Sequence, residues 1–250
     1  QHNLGTLSPI QRLYYSGPLF RRERPQKGRQ RQFHQFGVEA FGSNYTEQDV
    51  EIIAIAWKIL SLCGLANDTT LNLNSIGSNE CRNNYRTALK SYLYPYIKDF
   101  SKTSQHRFDT NPLRILDTKS EKEQEILNDA PKISDYHNKT DRTHFESLKE
   151  FLKDMGLPFS INHKLVRGLD YYTGTVFEFN SGNLGAQDAL LGGGRYNRLV
   201  ETLGGKPTPG IGFAAGIERF LIAMEQSNFN AKKCNPDVYF VCADNKALSR

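Results

Sequence analysis

Up to about residue 42, apolar and polar positions alternate on either side of Pro25-Gln26-Lys27-Gly28, whose proline and glycine mark a reversal. The pattern predicts a long antiparallel hairpin. From Thr46 to Leu62 the period changes: Val50, Ile53, Ala54, Trp57 and Leu60 fall near a 3.6-residue repeat, and Gly64 stands where a helix should stop. Alternation returns over Thr70 to Ile76 as a strand, and Asn79 to Tyr94 reads as a helix that halts before Pro95. Strand character resumes from Phe159 to Phe179 and from Ala189 to Leu191, followed by glycine-rich turns and a helix from Ile217 to about Glu225. A last strand is predicted from Asp237 to Ala243, after a polar stretch ending at Pro236.

The segment from 96 to 154 has another texture. Residues 101 to 150 carry nine Lys/Arg and ten Asp/Glu, with helical spacing at Phe145, Leu148, Phe151 and Leu152, which predicts an inserted helical subdomain. The expected organisation is a core made of 1–95 and 155–231, a helical insertion at 96–154, and a linker at 232–250 that opens a further domain. Without a regular βαβ rhythm, the fold class is α+β: a mainly antiparallel sheet flanked by helices.

Composition narrows the function. With 250 residues, 38% hydrophobic and 24% charged, the chain can bury a sizeable core, so a disordered protein is excluded. The longest apolar run, Ile52 to Trp57, is six residues against the ~20 that a membrane span needs, so no membrane partner is expected. The chain begins at Gln1 and its first methionine is Met155, and we expect it to be part of a longer polypeptide. Cys63, Cys81, Cys234 and Cys242 fit neither a zinc pattern nor a dense disulfide framework and read as reduced thiols of a cytoplasmic protein.

The formal net charge of +5 conceals a local excess. Arg21, Arg22, Arg24, Lys27, Arg29 and Arg31 face a single anion, Glu23, over eleven residues, and such density wants a polyanionic partner. In the second arm of the hairpin, period two puts Phe33, Gln35, Gly37, Glu39 and Phe41 on one face and His34, Phe36, Val38 and Ala40 on the other. The second face is a packing surface on which His34 reads as a buried, hydrogen-bonded histidine. The first offers an amide and a carboxylate on either side of a glycine, a floor for a small polar ligand with a cationic amine. Arg21, on the same face of the first arm, adds a cation for a phosphate or carboxylate.

Leu165-Val166-Arg167-Gly168-Leu169-Asp170-Tyr171-Tyr172 sets an arginine in an apolar context, where it needs a partner, next to two tyrosines able to stack and to donate hydrogen bonds. The runs Gly192-Gly193-Gly194-Arg195-Tyr196 and Gly210-Ile211-Gly212-Phe213-Ala214-Ala215-Gly216 invite phosphate-loop readings and fail them. No Gly-Lys-Ser/Thr follows either, and the second is one residue too long for a dinucleotide fingerprint. It reads as a strand of small residues leading into a helix whose first turn holds Glu218 and Arg219, a site for the far end of a polyphosphate.

Taken together these segments carry a resemblance. Gly17 to Gly37 resembles motif 2 of the class II aminoacyl-tRNA synthetases in its histidyl form, Leu165 to Tyr172 resembles the histidine-specific signature of the histidyl-tRNA synthetases, and Gly212 to Phe220 resembles their motif 3. The resemblance implies an antiparallel sheet flanked by helices, with L-histidine and ATP side by side on it, and an AMP-forming ligase that activates histidine and transfers it to tRNA(His). By residue, it implies that Arg21 grips the ATP α-phosphate, Glu23 assists at the adenine end, Phe33 stacks on adenine, Arg29 lies near the polyphosphate and Arg219 holds the terminal phosphate. Gln35 and Glu39 would meet the substrate amino group, Tyr171, Tyr172 and Tyr196 would line the imidazole pocket, and Arg167 would be the catalytic cation. The loop bearing Arg24, Gln26, Lys27 and Arg29 would meet the acceptor stem. Magnesium would arrive with ATP, since no His, Cys and carboxylate cluster stands at metal-ligand spacing.

The resemblance also places motif 1, which builds a homodimer interface, and a Gly-Thr segment of the histidine site before residue 1, with an anticodon-binding domain beyond the last strand. The alternative is the catalytically silent regulatory subunit of ATP phosphoribosyltransferase, a relative of the same fold; Arg21, Arg167 and Arg219 together with the helical insertion favour the synthetase. A basic RNA-binding module with a vestigial site fits less well, given the acidic insertion and the pairing of Gln35 with Glu39.

Overall fold

In the computed structural model, residues 8–22, 30–168, 171–182, 188–227 and 229 are described. The loop residues Glu23, Arg24, Gln26, Lys27 and Arg29, the pair Leu169 and Asp170, and the strand predicted from Asp237 to Ala243 lie outside them.

The predicted hairpin is present as β1 (Gln11–Phe20) and β2 (Gln32–Phe41), antiparallel from Gln11 opposite Phe41 to Phe20 opposite Gln32. The remaining strands are β3 (Thr69–Ser75), β4 (Phe159–Ile161), β5 (Thr175–Ser181), β6 (Ala189–Arg195) and β7 (Gly210–Gly216). Seven strands form one sheet in the order β1-β2-β7-β6-β5-β3-β4. Every pairing is antiparallel except β3 with β4. That exception has a cause in connectivity: the helical segment between them carries the chain back to the starting edge, and such a crossover leaves the two strands parallel.

Helix α1 (Thr46–Leu62) lays Val50, Ile53, Ala56 and Leu60 on the sheet. It ends as predicted: Gly64, at φ 70°, lets its own N–H reach Ser61 O and the Leu65 N–H reach Leu60 O, closing the last turn. Helix α2 (Asn79–Leu93) starts at Ser78, whose hydroxyl accepts from the Cys81 N–H at 3.3 Å. Helices α3 (Lys102–Thr110), α4 (Glu121–Asn128) and α5 (Lys139–Asp154) make up the helical segment, and α6 (Leu199–Thr202) and α7 (Ile217–Gln226) follow β6 and β7.

Two apolar clusters hold this arrangement. On one face of the sheet, Phe36, Val38 and Ala40 of β2, Phe177 and Phe179 of β5, and Ile211, Phe213 and Ala215 of β7 pack against α1, α7 and the Phe145, Leu148 and Leu152 stripe of α5. Each fully buried phenylalanine there stabilises the fold by roughly 1.5–3 kcal/mol. The second cluster joins Tyr85, Leu89 and Leu93 of α2 and Ile115 and Leu127 of the helical segment to Val176, Tyr172 and Tyr196 at the end of the opposite face. The rest of that face is open. Among the described residues no helix is long and apolar enough to cross a membrane.

Of the stretch from Phe159 to Phe179 predicted as strand, only its ends are. Residues 162–168 form a loop held by Asn74, whose buried amide donates to Leu165 O at 3.0 Å and His163 O at 3.3 Å. A side chain takes the hydrogen bonds that a neighbouring strand would have taken.

Candidate active site

Register decides what stands on the open face. Gln35, Gly37 and Glu39 of β2 lie opposite Gly216, Ala214 and Gly212 of β7; Ala214 and Gly212 lie opposite Gly192 and Gly194 of β6, and Gly192 opposite Glu178 of β5. The two central strands therefore present only glycine and alanine on this side, while the alternate residues face the core. Side chains from the flanks lie flat on the strip. A Cβ at Gly192 would overlap the Arg167 guanidinium, one at Gly212 the Glu39 carboxylate, and one at Gly210 the Tyr196 ring. Gly37 is not the open floor that alternation predicted, because the Tyr15 ring of β1 lies on it.

Arg21, Arg167 and Arg219, distant in sequence, line one cavity of about 510 Å³. Arg21 arrives from the end of β1, its guanidinium carbon 3.6 Å from the centre of the Phe33 ring. Arg219 comes from the first turn of α7 and donates to Ala189 O of β6 at 2.8 Å. Arg167 sits on the loop that Asn74 anchors and forms an ion pair with Glu178. Glu178, Asn180 and Asn72 line the same cavity.

Beside it is an aromatic corner. The Tyr171 and Tyr172 rings are 4.6 Å apart, and Tyr196 meets Tyr171 edge-on at 5.9 Å. The Tyr196 hydroxyl donates to the Glu39 carboxylate. Burial pushes the Glu39 carboxyl above its ordinary value, partly opposed by that hydrogen bond. Burial and the facing Glu39 carboxylate raise Tyr196 in turn, so its proton stays on the phenol and the hydroxyl acts as a donor.

His34 departs from expectation. It is exposed, and its backbone N–H and Nδ1 both reach Glu218 Oε1, at 2.8 and 2.9 Å. It lies near the open end of β2, where α7 begins and packing stops, so period two gave the right face but not the depth. Burial works against ionisation of Glu218, yet the bonds from His34 and its own backbone together hold the carboxyl below its ordinary value.

Sequence reasoning missed Glu178, Asn180 and Asn72. The signal was available in Thr175-Val176-Phe177-Glu178-Phe179-Asn180, where two polar residues alternate with buried phenylalanines. It also missed Arg195. That residue is not part of a phosphate loop: it points to the core side, where it meets the fully buried Asp49 at 2.5 Å and donates to Ser43 O and Tyr45 O at 2.9 and 2.8 Å. Asp49 also receives Thr175 Oγ1 at 2.7 Å and His144 Nε2 at 2.8 Å, tying α1 to α5 and β5.

No group of three or more His, Cys, Asp and Glu side chains able to hold a metal occurs among the described residues.

Comparison with known proteins agrees with this geometry. A family described as Histidyl-tRNA synthetase matches residues 1–220. The chain is 50% identical over 241 residues to a histidine–tRNA ligase of Cyanothece sp., covering 96% of this chain and 56% of that protein. A histidine–tRNA ligase of Anaplasma phagocytophilum is 50% identical over 221 residues, 88% of this chain and 53% of the other. Among solved structures, apo S. aureus histidyl-tRNA synthetase superposes with a TM-score of 0.69 at 39% identity, over 88% of this chain and 52% of that one. The chain thus spans about half the length of the relatives it matches. With the match running through both arms of the hairpin, the arginine loop and the glycine strip, the chain belongs to the histidyl-tRNA synthetase family.

Proposed function

We propose that this chain supplies the catalytic core of a histidine–tRNA ligase, which joins L-histidine to ATP as histidyl-adenylate and then transfers the histidyl group to tRNA(His). The observation that carries the reading is the meeting of Arg21, Arg167 and Arg219 around one cavity, next to a corner where Glu39 is hydrogen-bonded to Tyr196. Three guanidinium groups in a half-enclosed space suit a triphosphate. A carboxylate among tyrosine rings suits the ammonium and imidazole of histidine.

In the first step a carboxylate oxygen of histidine attacks the α-phosphorus, a P–O bond forms, and the bond to the β,γ-diphosphate breaks. Negative charge grows on the non-bridging oxygens, and fixed cations lower the barrier because they are in place before it appears. Arg21 and Arg167 take that role at the α-phosphate, while Arg219 holds the terminal phosphate. Arg21 covers one side of the Phe33 ring, so adenine stacks on the other. Gln35 and Glu39 bind the amino group; Tyr171, Tyr172 and Tyr196 enclose the imidazole. Magnesium comes bound to the triphosphate.

In the second step the terminal ribose hydroxyl of tRNA attacks the acyl carbon and AMP leaves. Arg24, Gln26, Lys27 and Arg29 serve the acceptor stem, with Glu23 and Arg29 also on the nucleotide side. The helical segment 96–154 acts as an insertion on a core of 1–95 and 155–231, and 232–250 leads to an anticodon-binding domain. The complete protein works as a cytoplasmic homodimer.

The test is exchange of labelled pyrophosphate into ATP by the full-length protein, in the presence of each amino acid in turn. Exchange dependent on histidine alone is expected; exchange with another amino acid, or with none, overturns the reading.

A further inference from the structure

Arg167 is held from two sides. Beneath it is Gly192, where any side chain would collide with the guanidinium. Beside it is Glu178, and Glu178 is itself oriented: Asn180 Nδ2 donates to Glu178 Oε1 at 2.9 Å, and Asn72 Nδ2 donates to Asn180 Oδ1 at 2.9 Å. The polarity runs one way across β3 and β5. The Asn180 amide spends its NH2 on the carboxylate, which leaves its oxygen to accept from Asn72. Arg167 Nη1 pairs with Glu178 Oε2, while Arg167 Nε is buried without a hydrogen-bond partner among the described residues. The guanidinium is thus fixed through one nitrogen and keeps donors for an anion.

A purely architectural ion pair does not account for the placement. Arg167 and Glu178 are about a quarter and a fifth exposed, and both they and the two asparagines line the arginine cavity, not the core. From this we infer that Glu178 is a positioning residue for the activation step: with Asn180 and Asn72 behind it and Gly192 below, it sets where the Arg167 guanidinium stands when charge develops on the α-phosphate. The inference rests on the proposed function and adds to it residues outside the expected site. Misplacement of a fixed cation by about 1 Å costs on the order of 10²-fold in rate.

The experiment is single-turnover histidyl-adenylate formation by the full-length protein, with unfolding followed in parallel. Glu178→Ala is expected to lower kcat by about 10²-fold while the KM values for ATP and histidine move only a few-fold, and Glu178→Gln, which keeps an acceptor, to recover part of the loss. Gly192→Ala, which removes neither charge but pushes on the guanidinium from below, is expected to show the same split, so the test survives if Glu178→Ala fails to fold. In an Arg167→Ala background, Glu178→Ala is expected to cost nothing further, because it acts only through Arg167. Additive losses in the double variant, or an unchanged kcat in both Glu178→Ala and Gly192→Ala beside a crippled Arg167→Ala, overturn the inference and leave histidine activation standing. A silent Arg167→Ala overturns both.

Discussion

The guanidinium of Arg21 stacks on the ring of Phe33, its central carbon 3.6 Å from the ring centre, so the two hairpin residues proposed to meet the nucleotide are in contact with each other. Replacing Phe33 with leucine keeps the bulk but removes the π face. The KM for ATP is expected to rise roughly tenfold, about 1.4 kcal/mol, with the KM for histidine unchanged. Arg21→Lys is expected to do worse than its retained charge suggests, because an ammonium neither stacks nor grips two phosphate oxygens at once. Steady-state kinetics with each substrate varied in turn checks both.

Glu39 gives a pH dependence. Its carboxyl is raised by burial, and it must be ionised to hold an ammonium. As pH falls through the raised value, the KM for histidine is expected to climb while the KM for ATP stays level. Stability runs the other way: the folded state favours the protonated acid, so this contribution is present below the ordinary carboxylate value and is lost as pH rises through the folded one. Glu39→Gln should therefore gain thermal stability relative to the parent at neutral pH and lose that advantage in acid, while its histidine KM loses the part of the pH dependence that Glu39 supplies. A KM profile in Glu39→Gln identical to the parent's would assign the titration elsewhere.

A buried carboxylate in the helical segment has the opposite sign. Glu123 is 2% exposed and accepts from Ser101 N at 2.8 Å, Ser104 Oγ at 2.7 Å and Thr118 Oγ1. Burial alone would raise it, but the hydrogen bonds outweigh burial and hold it below its ordinary value. Its stabilisation is complete above the ordinary carboxylate value of about 4.3 and is lost as pH falls through the folded one. Glu123→Gln should cost roughly 1–3 kcal/mol at pH 7 and progressively less in acid. Urea unfolding at several pH values measures the gap; a constant gap would contradict the assignment.

Asp49 and Arg195 form a buried pair whose members cannot be removed singly. Asp49→Ala strands a guanidinium beneath the sheet and releases His144, and is expected to destabilise by about 3–5 kcal/mol. Replacing both partners with apolar residues of similar volume should recover most of that loss. Chemical unfolding of the single and double variants distinguishes this from a pair that merely fills space.

Local pattern carried much of the architecture. The hairpin, α1 with its glycine stop, α2 and α7 were legible because a single period and a single punctuating residue define each. Each of the three arginines was visible in its own segment, in a basic cluster, in an apolar context or in the first turn of a helix, and their meeting around one cavity follows from strand order, which no local pattern encodes. For the same reason Arg195 was opaque: its partner lies 146 positions earlier in the chain, on a helix that presents Asp49 to the core. The depth of His34 and the loop after β4 depended on tertiary neighbours, Glu218 and Asn74.

The glycine strip beneath Arg167 and Glu39 has a bearing on redesign. At Gly192, Gly210 and Gly212 the base is bare main chain with nothing to trim, and every replacement is an enlargement that displaces Arg167, Tyr196 or Glu39 above it. If the proposed function holds, altered amino-acid preference must therefore be sought at the rim, among the tyrosines, where side chains can be exchanged without lifting the arginines from their seats.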